Sequence, residues 1–248
     1  MNINPKTTIT EGNIQMSTSR QAAPSVASSR KIALAAGVSY LLTFVSIPTG
    51  VLYAQKKDPN YIVGPGPDTG IIVGGVLEII VALAGIGTAV ALYPVVKRQN
   101  EGVALGFVGS RVLEASTIFA GVDSLMTMVT LRKSGVGAEA LVTGRTLTAL
   151  YDWFHLGQNL MPAVNDLLLG FLLYKSRLVP RVLPLMGLIG APILIANTVA
   201  TMFGIKGPIF VLTAISVLPI ALFEFSLGVW LTVKGFNPSA ANELLNKA

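Results

Sequence analysis

The sequence predicts an all-α fold, an integral membrane bundle of about six transmembrane helices. Three observations carry that expectation. Only 12% of the 248 residues are charged and 52% are hydrophobic, whereas soluble domains carry about a quarter charged residues. Apolar runs of about 20 residues recur along the chain, each long enough for the roughly 30 Å hydrocarbon core of a bilayer. Lys and Arg gather in the segments joining alternate runs, the asymmetry that membrane topology imposes.

Residues 1–30 are polar, rich in Ser, Thr and Asn, and show no hydrophobic period. They are expected to form a disordered cytoplasmic tail. Residues 31–235 then form the transmembrane domain, and 236–248 a short cytoplasmic tail. Arg30 and Lys31 flank the first apolar run, 32–54. It is too long for a signal-peptide core and lacks a small-residue cleavage site, so it reads as a helix with a kink at Pro48. A loop follows from 55 to 69, with the turn-rich GPGP at 64–67.

The second helix is expected at 70–93. Gly70 and Gly74 make a small-xxx-small pair, better explained by close packing than by a dimer face. Glu78 lies inside this helix. After the turn VVKRQNEG, the third helix spans 103–129 and carries Arg111, Glu114 and Asp123. Arg111 and Glu114 are three apart and share a face. A Gly-rich loop occupies 131–147.

The fourth helix, 148–174, is the most informative stretch of the chain: TALYDWFHLGQNLMPAVNDLLLGFLLY. Asp152, His155, Asn159 and Asp166 follow at spacings of 3, 4 and 7 and line one face. Lipid does not tolerate such a stripe, so this face should point into the bundle. The fifth helix, 182–203, holds Pro184, Pro192 and Asn197, and the sixth, 209–233, holds Glu224. Counted over connecting segments, eleven Lys and Arg lie on the side of the termini and six on the other. That places both termini in the cytoplasm. No internal repeat is visible, which weakens an inverted-repeat transporter reading.

Four stretches carry a family resemblance: RKIALAAGVSYLLTFVSIPTG; VLEIIVALAGIGTAVALYPVVKR with the following GSRVLEA; LLLGFLLYKSRLVPRVLPLMGLIG; and PIALFEFSLGVWLTVKGFN. In their order and spacing the chain resembles the bacterial six-helix membrane family catalogued as domain of unknown function 4386. The resemblance implies six helices in a bacterial inner (plasma) membrane. It implies no activity and supplies no catalytic residues.

Six of the twelve acids fall in predicted spans: Glu78, Glu114, Asp123, Asp152, Asp166 and Glu224. A charge at mid-membrane costs about 2.5–3.5 kcal/mol on insertion scales, so such residues face the interior, pair, or mark a functional path. Counting about 1.5 Å per residue, Glu78 and His155 sit roughly 10–12 Å below the outer boundary, with Glu114 deeper. Arg111, Asp166 and Glu224 fall in the cytoplasmic half, and Asp123 and Asp152 near the outer edge. Two polar layers are therefore expected. The upper one holds Glu78, Glu114, His155 and Asn159, the lower one Arg111 with Glu224 or Asp166. Tyr151, Trp153 and Trp230 read as interfacial aromatics.

The absence of cysteine excludes disulfides and thiolate sites, and the single histidine excludes a multi-histidine metal or haem site within one chain. His155 as a metal ligand would need Glu78 and Glu114 beside it. No P-loop, dinucleotide fingerprint, nucleophile elbow or HExxH is present, and no cofactor or metal is expected. The net charge of +6 fits Lys and Arg near anionic headgroups better than nucleic-acid binding. The expected partners are the lipid bilayer and a small molecule or proton, with a homo-oligomer left open. Three function classes stand: a protein that binds or passes a small solute or proton; an intramembrane enzyme using Glu and Asp on a lipid-like substrate; and a structural or regulatory protein whose polar core fixes helix register.

Overall fold

A computed structural model describes residues 26–205 and 209–246. Residues 1–25, most of the expected N-terminal tail, lie outside the described residues. Every regular element among the described residues is helical.

The first helix, α1 (Val26–Leu42), begins earlier than its apolar run, inside the expected tail, and so includes Arg30 and Lys31. It does not continue through Pro48 as one kinked helix. The chain tightens into a 3-10 turn at Thr43–Ser46, resumes as the short α2 (Thr49–Leu52), and tightens again at Ala54–Lys57. Proline has no N–H to donate and its ring displaces the carbonyl four residues back, so the α-ladder cannot pass it intact.

The helix α3 (Thr69–Val96) extends three residues beyond Tyr93, with Pro94 in its last turn. The helix α4 (Glu101–Lys133) starts at an Asn100 cap, whose side chain accepts from the Val103 N–H at 3.0 Å. Glu101 in its first turn and Arg132 and Lys133 in its last complement the helix dipole. The helix α5 (Leu141–Ser176) begins seven residues before the expected Thr148. The predicted 131–147 loop thereby shrinks to a turn and a 3-10 segment at Ala138–Ala140. The helices α6 (Val182–Met202) and α7 (Ile209–Val233) fall where the sequence predicts. Within the polar C-terminal segment the chain forms one more helix, α8 (Pro238–Leu245). Asn237 caps it, and Ala241 and Leu244, three apart, bury its inner face.

The six long helices close into a ring. Each packs on its neighbour in the chain, α3 on α4, α4 on α5, α5 on α6 and α6 on α7, and α1 packs on both α7 and α3. The α1–α7 seam that closes the ring is built from glycines. A Cβ at Gly37 would stand 2.6 Å from the Thr232 nitrogen, and one at Gly228 3.0 Å from the Tyr40 Cβ. Arg30 fastens the same seam, donating to the carbonyls of Leu231 (2.9 Å) and Thr232 (2.7 Å) at the end of α7, where helix carbonyls lack partners. Gly70 and Gly74 admit Leu52 and Tyr53 of the same chain, so this small-residue pair serves internal packing.

Among the described residues five helices are long and apolar enough to cross a membrane: the α1–α2 segment Ser29–Leu52, α3, α4, α6 and α7 through Ile215–Val233. The helix α5, interrupted by Arg145, Asp152, Asp166 and Lys175, is not one of them, yet it takes its place in the ring. Large apolar side chains such as Leu83, Val90, Ile189 and Val233 are exposed on the outside. A contiguous surface of that kind belongs in lipid. The fold is an all-α membrane bundle of about six helices.

Candidate functional site

Arg111, on α4, is 1% exposed, the largest fully buried side chain among the described residues. Its guanidinium donates to Glu114 Oε2 at 2.9 Å on its own helix and to Glu224 Oε1 at 2.5 Å on α7. The Tyr40 hydroxyl of α1 lies 3.2 Å away, and the rings of Tyr40 and Phe107 flank the cation at 5.3 and 5.8 Å. From α5, Asn165 Nδ2 donates to Glu114 Oε2 at 2.8 Å and its own carbonyl oxygen is held by the Ser110 hydroxyl at 2.5 Å. The helix α3 turns Gly85 toward the Arg111–Glu114 pair. Five helices of the ring thus converge on one guanidinium.

Asp166, next to Asn165, is fully buried, close enough to Glu224, Arg111 and Glu114 to feel each charge. Neither of its carboxylate oxygens has a hydrogen-bond partner among the described residues, and Arg111 Nε is likewise unpartnered. A cavity of about 180 Å³ adjoins the cluster. Arg111, Glu114, Asn159 and Glu224 supply its polar wall, with apolar lining that includes Val81, Leu194 and Ile220.

Glu78 forms a second polar point. Its Oε1 accepts from the Tyr151 hydroxyl at 2.9 Å. Tyr53 packs edge-on against Tyr151 at 5.5 Å, and Lys56 lies over the Tyr151 ring at 4.0 Å while pairing with Asp152 at 2.6 Å. Glu78 and Gly85 are seven residues, two helical turns, apart on α3. The two polar points therefore sit roughly 10 Å apart along one face of that helix.

The expected upper layer of Glu78, Glu114, His155 and Asn159 does not form. Glu114 joins Arg111 instead. Side chains lean toward the N-terminus of their helix, and the N-terminus of α4 is at the Arg111 end, so the carboxylate lies lower than its Cα. His155 is exposed, stacked on Tyr151 at 5.7 Å with Nδ1 3.0 Å from Gln158 Oε1. Glu78, Glu114 and His155 do not converge, and among the described residues no three His, Asp or Glu side chains are placed to hold a metal. The lower layer does form, with Glu224 bonded to Arg111 and Asp166 beside them. Asp123 and Asp152 are exposed near the other end.

Sequence reasoning missed Tyr40, Ser110, Asn165 and Tyr53, and read Tyr151 as an interfacial aromatic although it is buried. Asn165 carried a readable signal: it precedes Asp166 in an otherwise apolar stretch. Tyr40 carried none beyond its hydroxyl.

The end of the bundle away from α8 is clasped where α3 begins and α4 ends. Asp68 accepts from Arg132 Nε at 2.7 Å, pairs again with Arg132 Nη2, and accepts from the Tyr61 hydroxyl at 2.5 Å. The Arg132 hydrogen bonds hold the Asp68 carboxyl below the usual aspartate range, with Tyr61 adding to the effect and burial opposing it.

No curated protein and no solved structure matches the chain. The family described as "Domain of unknown function (DUF4386)" matches residues 35–235, from within α1 to just beyond α7. With that match covering most of its length and nearly all of the helix ring that holds Arg111, the chain belongs to this family.

Proposed function

We propose that the protein binds protons, together with a small polar solute, at the Arg111 cluster in the middle of the helix ring. One observation carries the reading: Asp166 is fully buried with both carboxylate oxygens unpartnered among the described residues, beside a guanidinium that Glu114 and Glu224 already occupy. A purely structural network gains nothing from such a member, because a half-satisfied polar cluster is worse than an apolar core. Three carboxylates and one guanidinium leave two negative charges uncompensated. An isolated buried charge costs more than the whole stability of a typical domain, so charge balance calls for protons or a small cation. Acids held inside a membrane bundle commonly mark proton and solute paths.

The adjoining cavity supports the solute half of the proposal. At about 180 Å³ it has room for a few water-sized groups, each taking about 30 Å³ of liquid volume. Arg111, Asn159, Glu114 and Glu224 supply polar contacts. Charge asymmetry supports a multi-pass arrangement with the α8 end cytoplasmic. Arg30, Lys31, Lys97, Arg98, Lys175, Arg177, Arg181 and Lys234 lie at that end, against Lys56, Lys57, Arg132, Lys133 and Arg145 at the other.

Infrared spectra of the protein reconstituted in lipid test the proposal. A carbonyl stretch from protonated carboxyl groups is expected at neutral pH and should shrink in Asp166→Asn. A spectrum in which Asp166→Asn leaves that region unchanged would contradict it.

A further inference from the structure

We propose that the junction of α5, α6 and α7 is a binding site for one anionic phospholipid, with its phosphodiester headgroup held by Arg177, Arg181 and Lys234 and an acyl chain laid between α6 and α7. A pocket of about 630 Å³ opens where α5 and α7 end. The three cations line it together with Trp230 and Asn237, and no acidic residue does. Among the described residues none of the three makes an ion pair. Arg177 and Arg181 also border an adjoining pocket of about 300 Å³, where Lys175 adds a further cation and Glu243 an acid.

The cations are placed by a rigid floor. The Asn237 N–H donates to the Leu178 carbonyl at 2.8 Å, tying the end of α7 to the α5–α6 turn. Val179 and Phe236, which line the same pocket, are buried in the largest core cluster. Arg181 rests on the Tyr174 ring at 4.9 Å. Arg177 ends α5 in the left-handed conformation, φ 56°, a position usually given to Gly or Asn. An arginine there carries a conformational cost.

The apolar half of the site starts one residue further on. Val182, Leu185, Met186 and Ile189 repeat at helical spacing along α6. They face Ile215, Leu218, Pro219 and Leu222 of α7 across a groove of about 570 Å³ that is almost wholly apolar. A basic pocket whose Arg181 directly precedes Val182 of an acyl-sized groove matches a phospholipid and exceeds what free phosphate needs. Trp230 supplies the amphipathic ring favoured at headgroup depth. Basic pockets between helices at a membrane surface recognise anionic headgroups in this way.

The test uses full-length protein stripped of lipid in detergent. Phosphatidylglycerol, phosphatidylcholine of the same chains, and inorganic phosphate are compared by thermal melting and by native mass spectrometry. Phosphatidylglycerol should raise Tm and remain bound, while the other two should not. Arg177→Gln, Arg181→Gln and Lys234→Gln should each weaken its retention roughly fivefold, the factor expected per basic residue. Ile189→Trp, which fills the groove and leaves the cations in place, should weaken long-chain lipid specifically. Equal retention of phosphatidylcholine would overturn the headgroup assignment. Stabilisation by inorganic phosphate equal to that by lipid would overturn the lipid. Unchanged retention in the triple Gln variant, with wild-type melting in the absence of lipid, would overturn the site.

Discussion

Arg111 and Glu224 are separated by 113 residues and joined by a 2.5 Å ion pair that links α4 to α7 through the middle of the ring. Glu114 holds the opposite side of the same guanidinium at 2.9 Å. Removing the cation strands Glu114 and Glu224 in a low-dielectric interior. Arg111→Gln should therefore cost about 3–5 kcal/mol, the usual consequence of breaking a buried pair from one side. Glu224→Gln in the same chain should recover part of that loss. Thermal melts in detergent of the two single variants and the double variant would measure the coupling.

Glu78 depends on Tyr151 in a different way. Its Oε1 accepts the Tyr151 hydroxyl at 2.9 Å. Tyr151→Phe should cost about 1–3 kcal/mol, because it leaves a buried acceptor without its donor. In a Glu78→Leu background the same change should cost almost nothing. Equal losses in both backgrounds would show that the Tyr151 hydroxyl acts through a partner other than Glu78.

The glycine seam predicts a contrast between two helix glycines. Gly37→Ala puts a Cβ 2.6 Å from the Thr232 nitrogen and 2.8 Å from the Gly228 carbonyl, backbone atoms that cannot swing aside. A loss of about 1–3 kcal/mol is expected from such overpacking. Nothing lies within 4 Å of a Cβ at Gly109. Gly109→Ala should be neutral or gain up to about 1 kcal/mol from helix propensity. Paired melting curves check both.

Much of this was legible in the sequence, and the misses have physical causes. Glu78, Arg111, Glu114, Asp166 and Glu224 stood out because charge inside an apolar run demands an interior. The two-layer grouping failed because Cα depth ignores the lean of long side chains, which carried Glu114 to Arg111. His155 shared the helical stripe with Asp166, yet it is exposed one turn from the buried Tyr151 on which it stacks. The helix α3 is apolar on all sides, so its pattern cannot say which face turns inward. Only Glu78 and the glycines mark it. The helix α8 was hidden in a polar segment, although Asn237 followed by Pro238, with Ala241 and Leu244 three apart, is a readable capped helix start.

The Asp68 clasp gives a pH dependence of known sign. Its folded carboxyl titrates below the ordinary aspartate range because of Arg132. The stability it contributes is therefore present above about pH 4 and lost as pH falls through the depressed folded value. Asp68→Asn should lower stability at neutral pH by about 1 kcal/mol, given its position at the solvent-facing end, and flatten the acid limb of the stability curve. Melts across the acid range would show a limb as steep as wild type if the clasp contributes nothing.

The central claim is that the Arg111 cluster balances its charge with bound protons, and Asp166 is where that claim is most exposed. The direct measurement is the number of protons released when the protein, in weakly buffered detergent at neutral pH, is unfolded. Carboxyls that hold protons in the fold ionise in the unfolded chain, so wild type should release about one proton more than Asp166→Asn. Equal release from the two would show that Asp166 carries no proton in the fold, and the proton-binding account would fail.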